Sequence, residues 1–546
     1  MKNYLLNQPT SVSTPQSLPI PGRESEMQRN NAGGFAFTAD SFARMERFLI
    51  MGSEGGSYYV GEQDLTKSNV DNVRACIKSD GRRAVEMIVQ ISEAGRAPKN
   101  DPALYALALA ASADNPETRV LALAALPKVA RIGTHLFTFC AFVSSMRGWG
   151  PGLRKAVAKW YTARPTDQLA YQLVKYQQRN GWSHRDVLRL AHVEGQNTPL
   201  MRWAIGASVE AREVTAKRIE RKATYPVATG ELPAIVSAFE EGKTAGEQTI
   251  RKLIAEHGLT HEMIPTQHLK SPAVWDALLT KMPVAAMVRS LGRMGACGLL
   301  KPLSDASKMV TARLGDRDVI RAARLHPIAL LSALLTYNGG HGQKGSLEWA
   351  VVPQVVDALN DAFYLAFEYV EPTGKNFYLG VDVSGSMTAG AVAGTSGLTP
   401  NMGAAAMAML IARTESNYFI GGFSSSFVDL GISANDRLDA AMRKAQRNYG
   451  GTDCSIAIKH ALARDIAVDA FVVITDGETW AGDVHASQAI VQYRQKTGRD
   501  AKLITMNMVP NRTRLTDPTD AGSMDVVGFD ASVPQVINQF IGEQKQ

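Results

Sequence analysis

Two carboxylates and three hydroxyls in the last third of this 546-residue chain have the types and spacing to hold a hard cation. Asp382, Ser384 and Ser386 stand at i, i+2 and i+4 in Asp382-Val-Ser-Gly-Ser-Met387, directly after the apolar run Asn376-Phe-Tyr-Leu-Gly-Val381. That run reads as a buried strand, and on the loop after it all three oxygens can point at one spot. Gly450-Gly-Thr-Asp453 places Thr452 on a tight loop ahead of a helix. Phe471-Val-Val-Ile-Thr-Asp476 is a second apolar strand, ending at Asp476. In an open parallel sheet such strand-end loops meet along one edge, where ligands bind. An all-oxygen donor set suits Mg2+ or Mn2+. The same loops could also hold together by hydrogen bonds alone, without an ion.

A second group of residues has the chemistry of a polyanion site. The net charge is +7, but residues 371–546 carry −3 and residues 1–370 carry +10. The stretch from Arg147 to Lys222 alone carries +9 and holds four of the seven tryptophans, Trp149, Trp160, Trp182 and Trp203. Cations clustered beside aromatic rings suit RNA, whose phosphates take the charge and whose unpaired bases take the rings. Arg154, Lys155, Arg185, Arg189 and His192 are candidates. Lys175-Tyr-Gln-Gln-Arg179 puts two cations at i, i+4, so the reading is one helical face, ended by Asn180-Gly181. Ser183-His-Arg-Asp186 reads as a capping-box-like helix start. The alternative for each cation is a solvated face, and for each tryptophan packing in the core of a helical hairpin.

The elements that must position these groups differ between the two halves. Between about Asp40 and Phe367 the pattern is helix after helix with brief polar turns, as in Ala103–Ser112, Val120–Val129 and His135–Ser145. That suggests stacked helical hairpins of the HEAT or armadillo kind. Glu371-Pro-Thr-Gly-Lys375 is a turn-rich break. Beyond it, strands at Phe377–Val381, Tyr418–Phe423, Ala470–Ile474, Ala501–Met508 and Asp525–Phe529 alternate with helices at Gly403–Arg413, Arg437–Arg447, Cys454–Ala463, Val484–Lys496 and Pro534–Ile541. Such alternation predicts an α/β doubly wound parallel sheet. Three parts are expected: a flexible N-terminal arm over 1–30, polar and Pro/Ser-rich; an all-α array over 31–370; and the α/β domain over 371–546.

Several function classes are excluded. Nothing approaches an 18-residue apolar run, so no membrane-spanning helix is expected. Cys76, Cys140, Cys297 and Cys454 lie far apart with no CxxC, as in a cytosolic protein with reduced thiols. His261-Glu262 lacks the second histidine of a zinc protease, since Pro265 stands in its place. The glycines of 339–346 are not in phosphate-loop order. No catalytic triad or two-metal cluster can be assigned, so an enzyme is not expected.

The oxygen pattern beginning at Asp382 resembles the metal-ion-dependent adhesion site of von Willebrand factor A-type domains. Together with it, Arg47-Phe-Leu-Ile-Met-Gly-Ser-Glu-Gly-Gly-Ser-Tyr-Tyr59 and Tyr176-Gln-Gln-Arg-Asn-Gly-Trp-Ser-His-Arg-Asp-Val-Leu-Arg-Leu190 resemble the TROVE module of the Ro autoantigen family. The chain looks like a compact bacterial (or phage) member. The resemblance implies a ring of HEAT-like hairpins closed by the A-type domain. It also implies small noncoding Y RNA on the outer surface, and single-stranded ends of misfolded RNA passing through the central hole. Under it, Lys175, Arg179 and His192 fall on RNA-contacting positions, and Asp382, Ser384, Ser386, Thr452 and Asp476 on the metal site. An exoribonuclease such as polynucleotide phosphorylase is the implied partner. The competing reading makes the A-type domain the working part, a metal-dependent adaptor between proteins.

Overall fold

The computed structural model describes residues 13–193, 198–206, 232–343, 345–367, 371–446, 450–530 and 532–542. An N-terminal β-hairpin comes first, β1 (Met27–Arg29) antiparallel to β2 (Phe35–Thr38). Among the described residues, helices follow between Ser41 and Leu365, interrupted by a small hairpin, β3 (Gln178–Arg179) with β4 (Trp182–Ser183). The last part holds β5 (Phe377–Asp382), β6 (Tyr418–Phe423), β7 (Phe427–Asp429), β8 (Ala470–Thr475), β9 (Lys502–Asn507), β10 (Thr513–Arg514) and β11 (Ser523–Val527), with helices between them. No helix among the described residues is long and apolar enough to cross a membrane.

The main sheet has the order β11-β9-β8-β5-β6-β7. Five strands are parallel, and β7 is an antiparallel edge on β6, so the expected purely parallel sheet is mixed. The short β7 follows β6 through a three-residue turn, Ser424–Ser426, too brief for a crossover helix, which forces the antiparallel hand. The alternation of β5 and β8 sorts their side chains onto two faces. Leu379, Val381, Val472 and Ile474 pack into the core shared with the helical array, and Tyr378, Phe471 and Val473 into a separate core behind the sheet. Chain order reverses between β5 and β8. Their carboxyl ends therefore flank the switch-point crevice, and they deliver Asp382 and Asp476 to it.

The helical array returns on itself. His326, N-cap of the helix Pro327–Asn338, accepts at Nδ1 from the Ile328 N–H and donates from Nε2 to the Arg96 carbonyl at 3.0 Å. Arg324 donates to the Glu93 carbonyl beside it. The Arg96 guanidinium then spans Glu46 of the first long helix and Asp530 of the α/β domain.

Residues 13–30 correct the expectation of a flexible arm. Gln16 is fully buried and donates to the Asp453 carboxylate at 2.8 Å and the Val484 carbonyl at 2.7 Å. The Asn30 amide reaches the Thr479 carbonyl, and β2 pairs with β10 to make a three-stranded sheet with β1. Polar side chains that look solvated in the sequence are here the partners of buried backbone. The arm's residues 1–12 lie outside the described residues.

Buried His184 and His326 and half-buried His135 make the fold acid-sensitive. Burial lowers His135 to about 4, His184 to about 3 and His326 to about 4. The unfolded chain takes up protons near 6.5 while the native one does not, so stability is lost as pH falls from about 6.5 toward 4. Urea titrations should show a slope of up to roughly 1.4 kcal/mol per pH unit for each histidine in that window. His326→Gln should remove one proton's share of it.

Candidate metal edge and nucleic-acid interface

All five predicted metal-site residues are buried, and Asp382, Ser384, Ser386 and Asp476 meet at the switch-point crevice. Asp382 Oδ1 accepts from the Ser384 N–H at 2.9 Å, and Oδ2 accepts from the Thr475 hydroxyl at 2.5 Å. Ser384 and Ser386 lie with their hydroxyls 3.1 Å apart, and Ser386 bonds the Asp476 carboxylate. Asp476 Oδ1 also accepts from the Glu478 N–H. The Thr452 loop is tied to that of Asp476, since the Thr452 carbonyl accepts from the Trp480 and Ala481 N–H groups. Gly451 lets the Trp480 ring lie close over this loop, since a Cβ there would sit 2.8 Å from it.

Desolvation, then the neighbouring Asp476 charge, push the Asp382 carboxyl up to about 7, and desolvation raises Asp476 as well. Neither carboxylate is ion-paired to a cationic side chain among the described residues. Two buried acids ringed by hydroxyls, with no group of three or more His, Cys, Asp or Glu among the described residues, fit a hard divalent ion that keeps water ligands. They do not fit zinc.

Sequence reasoning missed what covers this edge. The Glu478 carboxylate accepts from the Asn31 N–H and side-chain amide, both at 2.6 Å, and from the Ala32 N–H at 3.2 Å. Tyr59 faces the Ser386 hydroxyl and lies near Asp476 and Glu478; burial lifts its phenol to about 12. Gly55 and Gly56, both at positive φ, let its loop lie against Ala391 and Gly390. The tyrosine pair in Gly-Gly-Ser-Tyr-Tyr59 was visible, but nothing in the sequence tied it to Ser386.

The basic stretch is divided by the structure, and residues 194–197 and 207–222 of it lie outside the described residues. Lys175 and Arg179 do not share a helical face, contrary to expectation. The helix ends at Lys175, and Arg179 is on β3. Asn180 and Gly181, at φ 51° and 75°, form the left-handed pair of a two-residue hairpin turn. An Asn-Gly dipeptide favours that turn over a helix cap when extended residues flank it. Lys175 is largely covered: its ammonium donates to the Tyr171 hydroxyl and lies 3.8 Å from Glu262. Arg179 is exposed, as are Lys155, Lys159, Arg185, Arg189 and His192. Arg154 is half-buried. The capping box Ser183–Asp186 forms as expected and aims the helix His184–Ala191, which packs on the helix Pro151–Thr162 that carries Lys155. Arg147 and Arg164 serve the fold, donating to the Ala111 and Trp160 carbonyls. Trp160 is core, while Trp149 stacks on Trp182 at 5.9 Å.

A family model described as the Ro60 vWA domain matches residues 376–541, and one described as the TROVE domain matches 28–229 and 242–335. The chain belongs to the Ro60 family. An "RNA-binding protein RO60" of Deinococcus radiodurans is 40% identical over 544 residues, 99% of each chain. One of Caenorhabditis elegans is 33% identical over 581 residues, covering 94% of this chain and 89% of its own. The crystal structure of the Deinococcus radiodurans RO (RSR) protein superposes with a TM-score of 0.67 at 38% identity, covering 92% of this chain and 99% of that one.

If the carboxylates hold a divalent ion, Mg2+ must compete with the proton on Asp382. Millimolar Mg2+ should therefore raise the melting temperature more at pH 8 than at pH 6, because the proton returns as pH falls through about 7. Asp382→Asn should abolish the response. In metal-free buffer at pH 8, it should melt no lower than the wild type, because a buried charge is gone.

Proposed function

We propose that this protein is a noncatalytic RNA-binding scaffold. The observation that carries the reading is the exposed cationic face of the helical array. Lys155, Lys159, Arg179, Arg185, Arg189 and His192 project from two packed helices and the β3–β4 hairpin between them, in a chain whose relatives are named RNA-binding proteins. Phosphates supply most of the affinity on such a face, and the hairpin and helix ends fix its shape. In finer terms, we assign small noncoding Y RNA to the outer basic surface. Single-stranded ends of misfolded RNA go to the interior of the closed array. An exoribonuclease, such as polynucleotide phosphorylase, is the partner that acts on the held RNA, with the cytoplasm as the compartment.

The A-type edge, with Mg2+ or Mn2+ held by Asp382, Ser384, Ser386, Thr452 and Asp476, is assigned a structural role. Asn31 and Ala32 bond the neighbouring Glu478, and Tyr59 bonds Ser386, so the chain itself already engages this edge. On this reading the edge serves the chain's own contacts rather than an adaptor role.

A gel-shift titration with a structured RNA at two salt concentrations tests the proposal. Binding should weaken steeply with salt, and the RNA should remain intact. Arg179→Glu should lose affinity for every sequence while keeping the melting temperature, and Arg179→Ala should lower the salt slope by about 1. Lys175→Glu should instead destabilise the fold, because it sets a carboxylate against Glu262. Salt-independent binding that survives Arg179→Glu would move the site elsewhere.

A further inference from the structure

A cavity of about 400 Å3 opens beside the basic face, bounded by the end of the helix Thr166–Lys175, the start of the helix His184–Ala191, and the helices Pro199–Ala204 and Ala234–Gly242. Gln177, Ser183, Arg185, Trp203, Phe239 and Lys243 are among its walls. Its size falls in the ~300–1,000 Å3 range of small-molecule sites. The metal edge does not account for it, and of the outer cations named above only Arg185 is among its walls.

Trp203 is held in place by groups that leave part of its ring open. Its Nε1–H donates to Glu240 at 2.8 Å, and Lys243 clamps the same carboxylate at 2.7 Å. Phe239 meets the indole edge-on, centroids 6.2 Å apart and planes at 89°. The indole nevertheless stays half-buried, where the core rings Trp160 and Trp275 are fully covered. Because Glu240 and Lys243 offset each other, exposed Arg185 sets the sign of the rim among the described residues. Its guanidinium leans toward Gly206, on the same wall. A rigid aromatic surface, an amide from Gln177 and a guanidinium at the mouth with no acidic partner among the described residues match the parts of a single nucleotide. The base has a ring to stack on, and the phosphate a planar cation to meet.

We infer that this cavity is a subsite for one unpaired nucleotide of bound RNA, its base against Trp203 and its phosphate at Arg185. The inference rests on the RNA-binding reading and names the part of the RNA that is read. Paired bases stay in their stack, so only a loop, bulge or free end can fill the site. Stacking accepts any base, so the preference is for single strands rather than for a sequence.

The test uses the full chain and one hairpin RNA, with and without a 3′ tail of about ten uridines. Trp203→Ala should weaken binding of the tailed RNA by about tenfold or more, and leave the blunt hairpin within about twofold. Trp203→Phe should recover most of the loss, and Arg185→Ala should weaken the tailed RNA more than the blunt one. A tail bearing 4-thiouridine should crosslink under ultraviolet light to the peptide containing Trp203. Equal losses on both RNAs, or a crosslink only elsewhere, would overturn the subsite while leaving RNA binding intact. If the wild type binds neither RNA, the RNA-binding reading itself fails.

Discussion

The buried guanidinium of Arg47 sets the terms for the rest of the molecule. It is 3% exposed and sits on the first long helix, which Asp40 caps through the N–H groups of Phe42 and Ala43. Nη1 donates to the Asn511 carbonyl, to Asn511 Oδ1 at 2.8 Å and to the Thr513 carbonyl at 2.7 Å, with Asp525 at 3.9 Å. Stripping a buried charge of its partners costs ~3–5 kcal/mol. The helical array therefore cannot leave the α/β domain without a penalty comparable to a large part of a domain's net stability. Asn511 carries the connection one step further, donating to the Asp476 carbonyl. The position of the metal edge thus depends on a cation from the other end of the chain.

The cations of the basic stretch show one residue type performing two jobs a short distance apart. Arg164 lies over the Trp160 ring and bonds the carbonyl of the same residue, and Lys175 is shared among Tyr171, Tyr176 and Glu262. These hold the hairpin and its neighbours in place. Arg179, Arg185 and Arg189 extend from that frame into solvent. A net-charge count cannot separate the two groups, because the distinction lies in which side chains find a carbonyl or a carboxylate from a distant helix.

Much of the α/β domain was legible because its signals are local. Apolar runs gave β5, β6 and β8 within a residue or two of their ends. The placement of Asp382 and Asp476 followed from strand order. The errors came where the deciding partner is remote or the local signal is ambiguous. Gln16 reads as a solvated glutamine because Asp453 lies more than four hundred residues away. Lys175 and Arg179 read as one helix because helical spacing was weighed above the Asn180-Gly181 turn chemistry. The three-residue β7 carries too short a pattern to register. Tyr59, Glu478 and the walls around Trp203 become a set only after distant helices and loops have packed.

The pairing of β2 with β10 also has a consequence in time. Thr38 is made early on the ribosome, and its partner Thr513 almost at the end. At ~5–20 residues per second, the first strand waits roughly half a minute or longer with an unpaired edge. The helices between them can pack as they emerge, since each rests on its sequence neighbours. The seam cannot form until the Thr513 segment has been released. During that interval β1 and β2 are an open strand edge, the kind of surface that other chains pair with. The three-stranded sheet is therefore complete only once the Thr513 segment has reached Thr38.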